Sequence, residues 1–263
     1  MESKVVTFQR RSVSFVRRES RLGPQVQRAW NENYHSLVID VPRTTASMSV
    51  APGYELDAVR DFGRVAPLVV EIGSGTGDAV VHGALSRPGT NFLAVEVYAT
   101  GLAATVTKIV HHNLTNVRLV HADAVEVLEH MLRPQTVDEL WIFFADPWHK
   151  NRHRKRRLVD PAFAELAASR LAHGGMLRLA TDWADYAMQM RDVLAACDSL
   201  TNRYVGKLSS PSEPGALAEA ALPGQGGPGA GFAPRFEGRL MTRFEQKGLA
   251  SGRTIYDLEL RRA

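Results

Sequence analysis

The chain has 263 residues, 44% of them hydrophobic, enough for one large domain with a real core or two small ones. Its single cysteine, Cys197, excludes an intramolecular disulfide and suits a reducing, cytoplasmic setting, and no apolar run approaches the roughly 20 residues of a membrane span. The net charge is only +4, but six of the eight residues from Lys150 to Arg157 are Lys or Arg, a cluster that points to a polyanion such as nucleic acid, with a solvated basic loop equally open on composition alone.

Residues 1–64 are polar, arginine-rich and weakly periodic, with Arg10, Arg11, Arg17, Arg18, Arg21 and Arg28 repeating the basic theme. They read as a flexible basic arm able to touch RNA. An arginine- and serine-rich start also fits a transit peptide, but Glu2 and Glu19 interrupt it and no apolar signal core follows. The pattern changes at Pro67. Leu68–Ile72 is an apolar run closed by Gly73-Ser74-Gly75-Thr76-Gly77, and Asp78–Leu85 is compatible with a helix. Asn91–Val97 reads as a second strand, Ala99–His112 as a helix, and Val117–Ala122 as a third strand with a helical stretch to about Met131. The run from Leu140 to Phe144 is a fourth strand, and Asp160–Leu171 is helical. Gly174-Gly175 turns into a fifth strand over Met176–Ala180, Trp183–Leu200 is helical again, and Thr254–Leu260 alternates well enough for a final strand. Strands alternating with helices of this length predict an α/β chain with right-handed crossovers and a parallel sheet. Residues 209–234 are Gly/Pro-rich and read as an insertion within one domain over 65–263, because too little chain follows to fold alone.

The glycine loop is the first candidate site. Glu71-x-Gly73-x-Gly75-x-Gly77 follows a strand and opens a helix, where glycines let the backbone approach a ligand closely. A dinucleotide loop spaces its glycines G-x-G-x-x-G around a pyrophosphate. Here they alternate, and Glu71 would repel a pyrophosphate but suit a cationic ligand. Glu96 lies 25 residues downstream at a strand end, where an acid binds ribose hydroxyls, and Asp123 ends the next strand, where it can accept from an adenine amino group. Three acids at three successive strand ends fit S-adenosylmethionine, with its amino group, ribose, adenine and positive sulfonium.

The second candidate is the end of the fourth strand. Proline at 147 breaks the apolar run and leaves Asp146 at the strand mouth, followed by Trp148 and the cationic run. Ligands of an α/β sheet bind outside the carboxyl ends of its strands, so a base and a phosphate backbone could both be held here. Trp148 and Trp183 read as packing residues, and Thr181 as a helix cap. His111, His112 and His153 with one cysteine make no zinc pattern, so no metal is expected.

At these residues the chain resembles the bacterial tRNA (guanine-N7-)-methyltransferases. The resemblance covers most of the chain: Arg17-Arg18-x-x-Arg21-Leu22, Glu71-Ile72-Gly73, Glu96-Val97, Asp146-Pro147-Trp148-x-Lys150-x-Arg152-His153-x-Lys155-Arg156-Arg157, Thr181-Asp182-Trp183 and Thr242-x-Phe244-Glu245-x-Lys247-Gly248. The Asp-Pro-Trp to Arg-Arg stretch is highly specific. The resemblance implies a Rossmann-like class I methyltransferase fold, with a mostly parallel sheet, an antiparallel last strand and helices on both faces. It implies that Glu71, Gly73, Gly75, Gly77, Glu96, Asp123 and Asp146 form the cofactor pocket and that Asp146 is the catalytic carboxylate. Lys150, Asp182, Thr242, Arg243, Phe244 and Glu245 would contact the substrate. Arg152, His153, Arg154, Lys155, Arg156 and Arg157 would lie on the RNA, and the target would be a guanosine in the tRNA variable loop. A monomer or homodimer would suffice. The family usually carries prolines where Ala145 and His149 stand, and a basic residue at Asn151. Three rivals remain: an NAD-linked dehydrogenase, against which Glu71 and the glycine spacing speak; a non-catalytic RNA-binding protein on the same fold, against which the surviving acids speak; and an S-adenosylmethionine-dependent methyltransferase of another substrate, where an amino-directed enzyme would usually show an Asn/Asp-Pro-Pro-aromatic turn whose second proline is absent here, while a different RNA stays open.

Overall fold

The computed structural model describes residues 21–204 and 231–263. Among these, seven strands form one sheet in the order β3-β2-β1-β4-β5-β7-β6. They are β1 (Leu68–Ile72), β2 (Asn91–Glu96), β3 (Val117–His121), β4 (Val137–Phe143), β5 (Leu171–Thr181), β6 (Leu200–Asn202) and β7 (Tyr256–Arg262). Strands β1 to β5 pair in parallel, and β7 runs antiparallel to both β5 and β6, as expected for the last strand.

Alternation along the strands sorts side chains onto two faces. Val70, Ile72, Leu140, Ile142, Leu177 and Leu179 pack under α6 (Pro161–Arg170) and α7 (Ala184–Ala195). Val69, Ala94, Trp141 and Phe143 face α3 (Asp78–Ser86) and α4 (Ala99–His111). Both faces are thus covered, which is why the central strands read as near-continuous apolar runs. The chain leaves β1 for one face and, after β4, reaches α6 on the other. The strand order reverses between β1 and β4, so a crevice opens at their carboxyl ends.

Local chemistry explains the element ends. Asp160 accepts from the Phe163 N–H at 2.8 Å and Pro161 fills the first turn of α6, a standard start. Thr242 caps α8 (Arg243–Ala250) by accepting from the Glu245 N–H at 3.2 Å. Gly174 and Gly175 do not form a turn before β5. They lie inside it, with Gly174 at φ +77°, where the pairing with β4 shifts register, so the strand starts five residues earlier than its sequence suggests. Thr181 accepts from the Trp183 N–H rather than capping α7 directly.

The expectation of a flexible arm over residues 1–64 is corrected for its described part. Residues 24–37 form α1 (Pro24–Leu37), which packs on α4 through Trp30, Tyr34 and Leu37. These three recur at helical spacing, and the Trp30 and Tyr34 rings meet edge to face at 5.0 Å. Beyond α1, Val38 bridges to Leu119 of β3, the Met48 carbonyl accepts from the Asp123 N–H at 2.8 Å, and Val41 and Val50 are buried. A short helix α2 (Ala58–Phe62) then leads into β1. Arg17 and Arg18 lie outside the described residues. So do residues 205–230, most of the expected insertion, whose end is anchored by buried Phe232 and by Ala233 bridged to β7.

Leu37→Ala should therefore lower the unfolding free energy by about 2–4 kcal/mol in a urea titration. An unattached arm would leave the midpoint unchanged.

Candidate active site

Two cavities and an open cleft meet at the crevice. The first cavity, about 230 Å³, is lined by Gly73, Glu96, Tyr98, Asp123, Phe144, Asp146 and neighbours. The second, about 170 Å³, is lined by Glu71, Gly73, Ser74, Asp78, Phe144, Arg239, Thr242 and Phe244 among others. Gly73 and Phe144 line both, so the two adjoin. The cleft, about 600 Å³, is lined by Tyr98, Asp146, Pro147, Trp148, His149, Lys150 and His153. Asp146 and Tyr98 are common to the first cavity and the cleft.

The glycine loop has the backbone that its composition requires: Gly73, Gly75 and Gly77 have φ of +70°, +55° and +77°. Gly77 has a second reason to lack a side chain, since a Cβ there would lie 2.4 Å from Thr105 of α4. Glu96 fixes the loop. One of its oxygens accepts from the Gly75 N–H at 2.7 Å, and the other accepts from the N–H groups of Val97 and Tyr98 at 2.7 and 2.9 Å. Asp123 caps the turn after β3, α5 (Ala124–Glu126), by accepting from the N–H groups of Val125 and Glu126.

Glu71 differs from these two. Its side chain is buried and Oε2 has no hydrogen-bond partner. Burial pushes its carboxyl up to about 8, against a donated backbone hydrogen bond from Val80, with Glu96 and Asp78 pushing the same way. It therefore holds its proton in the folded protein across the window from 4.5 to about 8, in which the unfolded chain has lost it. Folding stability falls as pH rises through that window unless a ligand compensates.

β4 ends abruptly. Phe144 takes a left-handed φ of +58° while its N–H still donates to the Ala180 carbonyl at 2.8 Å, and Trp148 takes φ +42°. Non-glycine residues held in this region cluster at functional sites. Trp148 is half-buried and lines the cleft, carrying the Arg156 guanidinium 4.8 Å from its ring centre and His153 edge-on at 5.7 Å, so it is not the core residue expected. Trp183 packs partly against the core and meets the His149 ring at 5.0 Å.

The basic run forms a 3-10 turn over Asn151–Arg156. Arg152, Arg154, Lys155 and Lys150 are exposed, and Arg154 pairs with Asp185 at 3.1 Å. Desolvation and the surrounding cations push the His153 pKa below its usual value. Arg157 is corrected. It is 3% exposed, stacks over Tyr186, and donates to the Pro147 carbonyl (2.8 Å), Gln189 (2.6 Å) and Asp185 (2.5 Å). It pins the Asp146-Pro147 turn to α7 and does not face RNA.

The expected substrate residues separate. Lys150 lies in the cleft, whereas Thr242 and Phe244 line the 170 Å³ cavity. Arg243 opens α8. Asp182 is engaged by Arg253 at 2.6 Å. Glu245 is fully buried between Arg235 and Arg239, each at 3.0 Å, so the expectation of direct substrate contact is corrected to bracing of the segment before α8. Tyr98, Phe144, Ser74 and Arg239 were not singled out from the sequence. Tyr98 stands two residues after the strand-end Glu96. For Arg239 no sequence signal separates a buried arginine from a solvated one.

An acid rather than a neutral residue beside the glycine loop, together with the antiparallel β7, is the layout of a class I methyltransferase. The comparisons with known proteins agree. A family profile described as putative methyltransferase matches residues 65–214. A tRNA (guanine-N(7)-)-methyltransferase of Paenarthrobacter aurescens (strain TC1) is 48% identical over 97% of this chain and 93% of its own. One of the same name from Cutibacterium acnes (strain DSM 16379 / KPA171202) is 47% identical over 95% and 83%. The crystal structure of the 16S rRNA methyltransferase KamB shares the fold, with TM-score 0.51 at 16% identity over 77% of this chain and 90% of that one. The chain belongs to the tRNA (guanine-N7-)-methyltransferase family. Among the described residues no helix is long and apolar enough to cross a membrane, and no group of three His, Cys, Asp or Glu could hold a metal ion.

The two kinds of arginine should separate by stability. Arg157→Ala should cost roughly 2–4 kcal/mol in chemical unfolding, because it removes a buried side chain with three hydrogen bonds and its packing on Tyr186, while Arg152→Ala should stay within about 0.5 kcal/mol.

Proposed function

We propose that the protein transfers the methyl group of S-adenosylmethionine to N7 of a guanosine in the variable loop of tRNA, forming 7-methylguanosine in the cytoplasm. The observation that carries this reading is Asp146, which lines both the 230 Å³ cavity and the open cleft and so stands between a cofactor and a substrate. The residues present fit the cofactor: an orphaned buried acid at Glu71 for its ammonium, Glu96 at the end of β2 for ribose hydroxyls, and Asp123 at the end of β3 for the adenine amino group.

When bound, S-adenosylmethionine supplies an electrophilic methyl on a positive sulfur. Guanine N7 carries an in-plane lone pair and no proton, so no residue need act as a base towards it. The protein has to align the nucleophile with the methyl and exclude water. Asp146 would accept from the guanine ring N–H and amino group, orient the purine and stabilise the positive charge that develops on it. Tyr98 and Trp148 would wall the base, and Lys150, Arg152, Arg154 and Lys155 would meet phosphates.

Incubation with labelled S-adenosylmethionine and unmodified tRNA, followed by digestion, should yield labelled 7-methylguanosine. Label in any other nucleoside would sink the assignment. Asp146→Ala should lose about 100-fold or more in kcat/KM with unchanged circular dichroism. Arg152→Ala and Lys155→Ala should each reduce the slope of log affinity for tRNA against log salt by about 1.

Glu71 gives a pH test. Below its pKa near 8, an ammonium ligand must displace the carboxyl proton. Affinity for S-adenosylhomocysteine should therefore rise between about pH 5.5 and 7.5, by up to about tenfold per unit, and Glu71→Gln should flatten the profile. A pH-independent wild-type affinity would remove Glu71 from the ammonium site.

A further inference from the structure

Among the described residues, the buried side-chain polar atoms without a hydrogen-bond partner are Glu71 Oε2, Ser74 Oγ, and Nε and Nη1 of Arg239. All three residues line the same 170 Å³ cavity. Buried polar groups are nearly always paired, and an unpaired one costs free energy, so several orphans around one cavity mark the outline of a missing ligand. Their chemistry is mixed. Glu71 offers an acceptor, Arg239 offers charged donors, and the Ser74 hydroxyl can serve as either. An anion alone would meet Glu71, and a cation alone would meet Arg239. A zwitterion suits both.

Arg239 is held ready for such a role. Its Nη2 donates to both Asp257 oxygens at 2.9 and 2.8 Å, and its guanidinium sits over the Phe143 and Phe144 rings at 5.5 and 5.3 Å. Nη1 lies 3.0 Å from Glu245 Oε1 without the alignment of a hydrogen bond, and Nε has no partner. Glu245 is also engaged by Arg235 through both oxygens, at 3.0 and 3.2 Å. The two arginines and two acids balance in charge, and the side chain of Arg239 is only 1% exposed. The position of the guanidinium is thus fixed before any ligand arrives.

We propose that Arg239 and Ser74 hold the carboxylate of the cofactor's amino-acid moiety opposite Glu71, so that a residue beyond the 65–214 family match completes the cofactor site. This rests on the S-adenosylmethionine reading above. The 170 Å³ cavity is then the amino-acid lobe and the adjoining 230 Å³ cavity the adenosine lobe, with Gly73 and Phe144 at the junction.

The test is a calorimetric titration with two ligands: S-adenosylhomocysteine and its decarboxylated analogue, in which a 3-aminopropyl thioether replaces the amino-acid chain. Wild-type protein should bind the decarboxylated analogue about 10- to 100-fold more weakly. Arg239→Gln should bind S-adenosylhomocysteine weakly but the analogue as wild type does, which erases the difference. Glu71→Gln should keep it. Because Arg239 is buried in an ionic network, Ser74→Ala provides a second variant, with a loss of about 3- to 10-fold confined to the carboxylate-bearing ligand. Equal wild-type affinity for both ligands, or an Arg239→Gln loss shared equally by both, would overturn the Arg239 assignment and leave the cofactor reading standing. Wild-type protein that binds neither ligand would overturn the cofactor reading, and this proposal with it.

Discussion

The site depends on the divergence of the chain at β1 and β4. These neighbours lie side by side at the centre of the sheet, yet the helices that follow them pack on opposite faces. No crossover can cover their carboxyl ends, so the ends of both strands border an open crevice. Everything that reads as chemistry lies within a few residues of it: Glu71 and the glycine loop after β1, Phe144 to Asp146 after β4, and the strand-end acids of β2 and β3 on one flank. The other flank is closed by the segment from Arg235 to Phe244, which the sheet reaches only because β7 returns antiparallel. The antiparallel strand brings the residues that precede it to the same rim as the ends of the parallel strands.

The acids at this rim are not equivalent. Glu96 and Asp123 each accept backbone N–H groups, so their charge is solvated by the protein and their orientation is fixed. Each can still present an edge to a ligand. Glu71 has no such surroundings at Oε2 and carries the cost of burial. A carboxyl in that condition contributes little to the stability of the cofactor-free fold and gains most from a cation. The same contrast separates the arginines. Arg157 has a full set of acceptors and serves the scaffold, Arg152 and Lys155 are exposed and can release counterions, and Arg239 is buried with donors to spare. Burial and partner count, not residue type, decide what each does.

Much of this was legible in the sequence. Short apolar runs bounded by glycine, proline or acids and separated by helix-length stretches gave β1 to β5 and most of their helices, because length and flanking breakers identify a strand buried on both faces where periodicity does not. The strand-end acids could be picked out because each interrupts or closes such a run. Other features were hidden for physical reasons. Residues 24–37 looked like an arm because α1 buries one narrow stripe, Trp30, Tyr34 and Leu37, amid polar residues. Gly174-Gly175 reads equally as turn or bulge, and only pairing with β4 decides. Arg157 ends a run of cations and Glu245 stands in the polar first turn of a helix, so nothing local reveals that they are buried. Trp148 follows a proline, and its left-handed backbone is invisible in composition.

The turn at Asp146 shows how a departure from a family pattern is absorbed. Prolines at the positions of Ala145 and His149 would stiffen the turn through fixed φ. Here the stiffness comes from contacts. Phe144 is locked by its bond to Ala180, and Ala145 packs against the core. The Pro147 carbonyl is held by Arg157, Trp148 carries Arg156 and His153, and His149 leans on Trp183. Contacts at 144, 145, 147, 148 and 149 thus limit the motion of the turn on both sides of Asp146. The carboxylate at the centre of this turn is then placed by its neighbours' packing rather than by ring constraints. The cationic run after it is divided accordingly: Arg156 and Arg157 brace the turn around Asp146, and Lys150, Arg152, Arg154 and Lys155 stay exposed.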